Sequence, residues 1–239
     1  MKRTKQILLF VVEGENDSIA LAATMTEIFT AEQVKFRVMN GDITSRNTVC
    51  PNNIKKILGN EIKAYVEEFL HVNKKDICMV VHLVDTDGAF VDQSCVTSDE
   101  SLPRKCKIYN ANSIIANDRQ SIIDRNTNKS RIMRLLKDMD NVWGNIPYKL
   151  YYFSCNLDHV FCNDPNPLLK KRNALYIDRK YSVNPQLFIQ DISDPSLAAH
   201  GDYCETWEYI QQGVNSLNRN TNLHLLFQLV SLSCFSKSF

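Results

Sequence analysis

Acidic residues follow two apolar segments of this chain, and their types and spacing suit the binding of a hard divalent cation. One segment, residues 7–12, ends at Glu13, and the other, residues 77–84, ends at Asp85 and Asp87. Alternation along the strand would place the Asp85 and Asp87 carboxylates on the same side. Carboxylates held this close repel one another unless a cation shares them. Oxygen ligands of this kind favour Mg²⁺ or Mn²⁺ over softer metals. The two segments together therefore predict a magnesium or manganese site.

The two apolar segments have the composition of central strands in a parallel sheet covered on both faces. Between them, Asp17 and Ser18 offer an N-cap for a helix, and Pro51 starts a second helix. Residues 34–38 alternate like a strand and end in a turn signal at residues 40–42, which includes Asp42. This β-α-β-α-β order predicts parallel strands with right-handed crossovers. In such a sheet, ligands bind beyond the carboxyl ends of the strands, where the acidic residues lie.

The later part of the chain extends this pattern and then changes. Residues 92–107 are polar and predict a long surface loop, residues 127–139 a helix, and residues 148–153 a further strand. The predicted fold is α/β, with a mainly parallel central sheet flanked by helices over residues 1–165. Residues 166–239 are predicted to be a mainly helical C-terminal appendage packed on that domain.

The segments 12–17 and 84–88 also resemble the two signature motifs of TOPRIM domains. This Rossmann-like fold is shared by topoisomerases, bacterial primases, small ribosomal-RNA maturation nucleases and the OLD-type nucleases of phage defence. The spacing within 12–17 is most similar to the OLD and small-nuclease branch, and the resemblance extends over roughly residues 6–165. A topoisomerase needs a large nucleophile-bearing domain and a primase a zinc ribbon, and neither pattern occurs here. The resemblance therefore implies a Mg²⁺- or Mn²⁺-dependent nuclease.

The resemblance also implies roles for individual acidic residues. Glu13 corresponds to the general acid/base or metal ligand, and Asp85 and Asp87 to metal ligands. Asp17 is either a further ligand or only the helix N-cap. Asp158 follows the strand at 148–153. It either completes a second metal position together with Ser154 or faces solvent at the start of a helix. Two metals would clamp the attacking and leaving oxygens of a phosphodiester.

The densest basic run consists of Lys170, Lys171 and Arg172. It is either a solvated surface or a site that contacts phosphates and stabilises the transition state. The net charge of +1 argues against a tight, non-specific duplex binder, so nucleic-acid affinity would come from such local clusters. The chain has no phosphate-binding G-x-x-x-x-G-K-[ST] loop. An ATPase, if the function needs one as in phage-defence systems, must therefore be a partner protein. A homo-oligomer is also compatible with the sequence.

Two other functions remain open. Residues 81–88 also resemble the nucleophile motif of haloacid-dehalogenase-type phosphatases, with Asp85 as nucleophile and Asp87 as acid/base. That motif normally starts the domain, Ala89 replaces its usual threonine, and Glu13 would have no role. The other alternative is a non-catalytic TOPRIM-like module that binds a nucleotide or serves as a regulatory subunit.

Cysteine usage and hydropathy predict a cytoplasmic protein without a membrane segment. The eight cysteines form no C-x-x-C pair, so we expect core or incidental thiols, not a zinc site. The N-terminal segment lacks the features of a signal peptide, and the apolar run at 223–235 is too short to span a bilayer. His82, within an apolar strand, is predicted to be a hydrogen-bonded core histidine.

Overall fold

The structure, a computed structural model, describes residues 6–39 and 41–228. The first residues of the chain and most of the apolar run at 223–235 therefore lie outside the described residues. The same holds for the end of the predicted C-terminal appendage. None of the helices within the described ranges combines the length and the apolar character that crossing a membrane requires.

Within residues 6–39 and 41–228, eight strands form two sheets. Their bounds are β1 (Ile7–Val12), β2 (Gln33–Val38), β3 (Ile77–Asp85), β4 (Val96–Ser98), β5 (Lys107–Tyr109), β6 (Ile114–Ala116), β7 (Asn141–Val142) and β8 (Ile146–Phe153). The main sheet has the order β2-β1-β3-β8-β7, and only β7 is antiparallel to its neighbour. The predicted α/β class with a mostly parallel central sheet is confirmed.

In the part of the chain that the structure describes, seven α-helices with defined ends connect and cover the strands. Their bounds are α1 (Glu15–Ile28), α2 (Ile54–Ala64), α3 (Arg119–Lys137), α4 (Leu157–Cys162), α5 (Lys170–Ser182), α6 (Pro185–Ser193) and α7 (Tyr203–Tyr209). After α2 the chain continues in wider, π-type turns over Tyr65–Leu70. Residues 224–228 are also helical.

The main sheet is buried on both faces, as the uninterrupted apolar strands predict. In β1, Leu9 packs into the core on the side of α2 and α3, whereas Phe10 packs into the core on the side of α1, α5 and α6. His82 on β3 is fully buried, and its Nδ1 lies 2.8 Å from the Tyr148 hydroxyl. Burial lowers the pKa of His82 to about 4, so the ring is neutral at physiological pH. The prediction of a hydrogen-bonded core histidine is confirmed.

The polar segment after β3 is not the plain surface loop that the sequence predicts. It contains β4 and leads to β5, and these strands flank β6 in a separate three-stranded sheet. Val96 and Ile114 are buried in its small core, whereas Thr97 and Ser98 are exposed. Because such short strands bury only one or two side chains each, their sequences show no apolar pattern that would distinguish them from a loop.

Two helix starts differ from the prediction. The N-cap of α1 is Gly14, not Asp17 or Ser18, and Asp17 occupies the third helical position with its Oδ2 accepting a hydrogen bond from Gly14 N at 2.9 Å. Helix α3 begins at Arg119, eight residues before the predicted start at 127. Its N-cap Asp118 accepts a hydrogen bond from Ser121 N, and its first turns are too polar to show an apolar period.

The C-terminal region is built into both faces of the main sheet. Tyr181 and Phe188 belong to the core beside α1, and Trp207 belongs to the opposite core. Beyond α7, the chain returns to the end of β8, where Ser154 N donates to Asn220 O at 2.8 Å. The helices after residue 165 therefore complete the hydrophobic core of the sheet.

Candidate metal centre

Three acidic side chains that follow three neighbouring strands converge at the carboxyl edge of the main sheet. Glu13 follows β1, Asp42 lies four residues after β2, and Asp87 lies two residues after β3. One carboxylate oxygen from each lies within 4.8 Å of the other two. The structure thus brings Glu13 and Asp87 together as expected, and it adds Asp42, which the sequence analysis missed.

A tight turn at the end of β3 places Asp87. Ala89 N donates to Thr86 O at 2.9 Å, and the two central residues, Asp87 and Gly88, have φ of 52° and 67°. Asp tolerates this left-handed region better than most residues, and Gly adopts it without penalty. A Cβ on Gly88 would lie 2.6 Å from Leu217 Cδ2, so only glycine fits there. The turn, and not strand alternation, therefore sets where the Asp87 carboxylate points.

Asp42 is held by the short 3₁₀ turn that it caps. Its Oδ1 accepts hydrogen bonds from the Thr44 backbone N–H at 2.8 Å and from the Thr44 hydroxyl, and its Oδ2 accepts one from the Ser45 hydroxyl. The same Oδ2 lies 2.7 Å from the Nζ of Lys129 in α3. In the sequence, Asp42 follows a predicted strand, as Glu13 and Asp85 do, and that shared position was the available signal. It was interpreted only as part of a turn.

Lys129 of α3 is the cation at the centre of these acids. It is fully buried, and its Nζ lies 2.7 Å from Asp42 Oδ2, 2.9 Å from Asp87 Oδ2 and 3.6 Å from Glu13 Oε1. Burial alone would lower the pKa of Lys129, but the surrounding carboxylates hold it well above its ordinary value. No sequence pattern points to Lys129, because it lies in a polar helix far from both motifs.

The carboxylates differ in how readily they ionise. Burial would raise the pKa of Asp87, but Lys107, Lys129 and Arg125 hold it well below its usual range. Lys107 Nζ lies 3.2 Å from Asp87 Oδ1, and the Tyr109 hydroxyl donates to the same oxygen. Burial likewise opposes ionisation of Asp42, yet Lys129 lowers its pKa. Asp42 and Asp87 are therefore ionised at neutral pH.

Glu13 and Asp85 have the opposite tendency. Burial, with the nearby Asp42, raises the pKa of Glu13 well above its usual value, and burial, with Asp17, does the same for Asp85. Glu13 Oε1 accepts a hydrogen bond from Asp85 N at 3.1 Å, and Asp85 Oδ1 accepts one from Leu157 N at 3.0 Å. Asp85 therefore points to the start of α4. It is not one of the three converging acids, although the sequence predicts it there, and Asp42 is the third member of that set.

Three of the remaining predicted residues, Asp17, Asp158 and Lys170, form a second group beside Asp85. Asp17 and Asp158 both lie within electrostatic reach of Lys170, and Asp158 also accepts a hydrogen bond from the Asn173 side chain. Burial raises the pKa of both carboxyls, that of Asp17 to about 6. Lys171 does not line this region and lies on the exposed face of α5.

Ser154, which the resemblance pairs with Asp158, is also not part of this second group. Its hydroxyl is buried and donates to Asn215 O at 2.8 Å.

Both groups line one cleft of about 720 Å³. The acidic residues line it together with residues 106–109 and 165–168. Asn166 joins these two segments, because its Oδ1 accepts from Tyr109 N and its Nδ2 donates to Tyr109 O, both at 2.8 Å. The cleft has the size of a site for a small ligand or for a single nucleotide unit.

The charges and donor atoms of the cleft fit a divalent cation. The six carboxyl groups named above face four cationic side chains, so the fully ionised cluster would have two negative charges in excess. Protons on Glu13 and Asp85 relieve this excess in the metal-free protein. All three converging ligands are oxygens, as Mg²⁺ and Mn²⁺ prefer. Glu13, Asp42 and Asp87 are the residues that would hold the ion.

The raised pKa of Asp17 predicts a pH-dependent stability in the metal-free protein. A carboxyl with a folded-state pKa of about 6 stabilises the fold below its unfolded pKa, and this contribution disappears as the pH rises through 6. Replacing Asp17 by asparagine should therefore be more favourable, relative to wild type, at pH 7.5 than at pH 4.5, by roughly 2 kcal/mol. Urea unfolding in EDTA at the two pH values measures this difference.

The exposed Glu68 provides the matched control for that comparison. The difference in unfolding free energy between Glu68→Gln and wild type should change much less between the two pH values. A pH-independent difference between wild type and Asp17→Asn would contradict the assignment of this proton to Asp17.

No protein-family model, no curated protein and no solved structure matches this chain.

Proposed function

We propose that this protein is a divalent-metal-dependent nuclease of the TOPRIM type. The observation that carries the proposal is the convergence of carboxylate oxygens from Glu13, Asp42 and Asp87 to within 4.8 Å at the carboxyl edge of a parallel sheet. Three separate strand ends supply these side chains, and they line a cleft large enough for one nucleotide unit. The resemblance of the segments around Glu13 and Asp87 to the TOPRIM motifs agrees with this choice.

A bound divalent cation would supply Lewis-acid polarisation of a phosphodiester oxygen and a more acidic water. The chain supplies the other groups that such a reaction needs. Glu13 and Asp85 have raised pKa values, which suits a group that accepts and returns a proton near neutral pH. Lys107 and Lys170 line the same cleft and are placed to attract a phosphate.

The phosphatase alternative fits the site less well. It needs Asp87 to hold and deliver a proton, yet three cationic side chains keep the pKa of Asp87 well below its usual range. It also needs an ionised Asp85 as nucleophile, whereas the pKa of Asp85 is raised and its Oδ1 accepts a hydrogen bond from Leu157 N. The nuclease proposal uses both residues in the states that their surroundings favour.

One observation favours the second candidate, a non-catalytic binding module. Lys129 already provides a cation at 2.7–3.6 Å from all three converging carboxylates. A module that only binds nucleic acid or a partner protein would need no further ion. The two candidates differ in whether the protein takes up a metal and cleaves a substrate.

The test is a cleavage assay of the wild-type protein on labelled single- and double-stranded DNA, ribosomal RNA and transfer RNA. Each substrate is incubated with Mg²⁺, Mn²⁺, Ca²⁺ or EDTA, and Mn²⁺ binding is measured in parallel by calorimetry. We expect binding of Mn²⁺ and cleavage in Mg²⁺ or Mn²⁺ but not in EDTA. Hydrolysis of an aryl phosphate without nucleic-acid cleavage would favour the phosphatase. If the protein neither binds Mn²⁺ nor cleaves any of the substrates, the binding module is the favoured function.

The remaining parts of the proposal concern the setting in which the protein acts. We propose a nucleic-acid substrate, a cytoplasmic location and, for a role in antiviral defence, a partner ATPase that supplies the nucleotide-dependent step. Self-association is compatible with these assignments. Co-purification of an ATPase with the tagged protein, compared with a tagged Glu13→Gln variant, tests the partnership without requiring activity.

A further inference from the structure

Helix α5 presents an exposed stripe that combines apolar and basic side chains. The stripe starts at the mouth of the cleft, where Leu168 and Lys170 line the opening. Arg172, Leu175, Tyr176 and Arg179 recur at three- and four-residue spacing and so share one helical face. The exposed Leu169 and Val183 flank the helix at its two ends. We call these six residues the α5 stripe.

The exposure of the α5 stripe is unusual for its apolar members. Leu169 is 62% exposed, Tyr176 55% and Val183 83%. The opposite face of the helix is packed against the core through Ala174, Ile177 and other residues, so the stripe is carried by a fixed element. An exposed apolar row on a rigid helix is typical of a binding surface.

The charge of the α5 stripe indicates what binds there. Arg172 and Arg179 form no ion pair with any residue in the described part of the chain, and the neighbouring Lys170 and Lys171 extend the positive charge toward the cleft. Lys180, by contrast, is paired with Asp191 at 2.8 Å and is not part of the stripe. Unpaired arginines between exposed apolar side chains suit a ligand that offers both phosphates and flat apolar surfaces.

We propose that the α5 stripe binds single-stranded nucleic acid and guides it into the acidic cleft. Arg172 and Arg179 contact phosphates, and Tyr176 and Leu169 contact bases. A single strand offers base faces to such side chains, whereas a duplex keeps them inside its stack. This inference rests on the proposed nuclease function and adds to it the class of substrate.

The length of the helix predicts the size of the binding site. Thirteen residues at about 1.5 Å each give α5 a length of roughly 20 Å. A strand with about 3.4 Å per nucleotide covers this length with about six nucleotides. Affinity should therefore rise with oligonucleotide length up to roughly six to eight nucleotides and then level off.

The test measures the fluorescence anisotropy of 5′-fluorescein-labelled DNA and RNA single strands of about 4, 8, 12 and 20 nucleotides and of a DNA duplex of about 20 base pairs. These lengths lie below and above the expected size of the binding site. All titrations are done in EDTA, so that binding is measured without cleavage. We expect the single strand to bind at least about tenfold more tightly than the duplex. Tyr176→Ala and Leu169→Ala should each weaken single-strand binding by about tenfold, and Tyr176→Phe should restore it. The double variant Arg172→Ala/Arg179→Ala should lower the salt slope of binding by about 1.4.

Matched controls lie on the other side of the sheet. Phe69 is 67% exposed, and Lys55 and Lys56 are exposed on α2. Phe69→Ala and the double variant Lys55→Ala/Lys56→Ala should bind the single strand as tightly as wild type.

Unchanged single-strand binding in the stripe variants, or a duplex bound as tightly as the single strand, would overturn the inference. A protein contact would then be the better explanation for the exposed apolar side chains. The nuclease proposal has a separate outcome. If the protein cleaves in a metal-dependent way but the stripe variants bind as tightly as wild type, only the proposed role of the α5 stripe is refuted. If the stripe variants lose binding but no metal supports cleavage, only the nuclease proposal is refuted.

Discussion

Lys129→Met should destabilise the metal-free protein by about 3–5 kcal/mol, because it leaves buried carboxylates without their cation. The Lys129 ammonium is fully buried and contacts Asp42, Asp87 and Glu13 within 3.6 Å. For a chain of this length, such a loss lowers the melting temperature by roughly 10 °C. Thermal unfolding of both proteins in EDTA measures the difference.

A second measurement on the same variant asks whether these acids hold a divalent cation. Removing the ammonium leaves the site more negative, so Mn²⁺ should raise the melting temperature of Lys129→Met by more than that of wild type. Lys107→Met is the graded control, because among the described residues Lys107 forms an ion pair with Asp87 alone, and its side chain is 31% exposed. That change should cost clearly less than Lys129→Met, because the pair is partly exposed and Asp87 keeps Lys129 and Arg125 as neighbouring cations. Equal stability of wild type and Lys129→Met in EDTA would contradict the arrangement around Lys129.

Asp42→Asn should reduce metal-dependent cleavage as severely as Glu13→Gln does, by at least about 100-fold. Both changes remove a charged oxygen from the converging set, and even replacing the hydrogen-bond partners of metal ligands costs 10–100-fold. Asparagine keeps the Oδ1 that accepts from Thr44 N, so the turn after β2 should persist. Single-turnover cleavage rates in Mg²⁺ and Mn²⁺ measure the loss.

Asp92 offers a closely matched control for this substitution. It caps a second 3₁₀ turn in the same way, with its Oδ1 accepting from Ser94 N at 2.8 Å, and it lies outside the cleft. Asp92→Asn should therefore cleave at the wild-type rate. If Asp42→Asn also cleaved at that rate, Asp42 would not be part of the metal centre.

The parts of the site that the sequence predicts are those attached to buried strands. The apolar segments of β1 and β3 locate Glu13, Asp85 and Asp87, because a strand covered on both faces has a continuous apolar pattern. Strand β2 is only half buried, and its acidic residue follows after a short turn. Asp42 was therefore interpreted as part of a turn, although it stands in the same relation to its strand.

Lys129 was not predictable from local pattern in the same way. It lies within a 19-residue helix whose sequence is mostly polar, and its charge is buried only because α3 crosses the end of the sheet. Which turn of a helix meets which strand end depends on packing and on connections such as the small sheet between β3 and α3. The divergence of Asp85 from Asp87 has a similar origin, since it depends on the left-handed turn and on the start of α4.

The way in which the C-terminal region fills both faces of the sheet limits how the protein can be divided. A chain truncated at residue 165 would keep every strand and the acids Glu13, Asp42, Asp85, Asp87 and Asp158. It would also lose Tyr181 and Phe188 from one core and Trp207 from the other, and with them the apolar cover on both sides of the parallel strands. The motif-bearing first two thirds of the chain therefore depend on the C-terminal region to complete both hydrophobic cores. Protein engineering that transplants this site into another context must carry the last third of the chain with it.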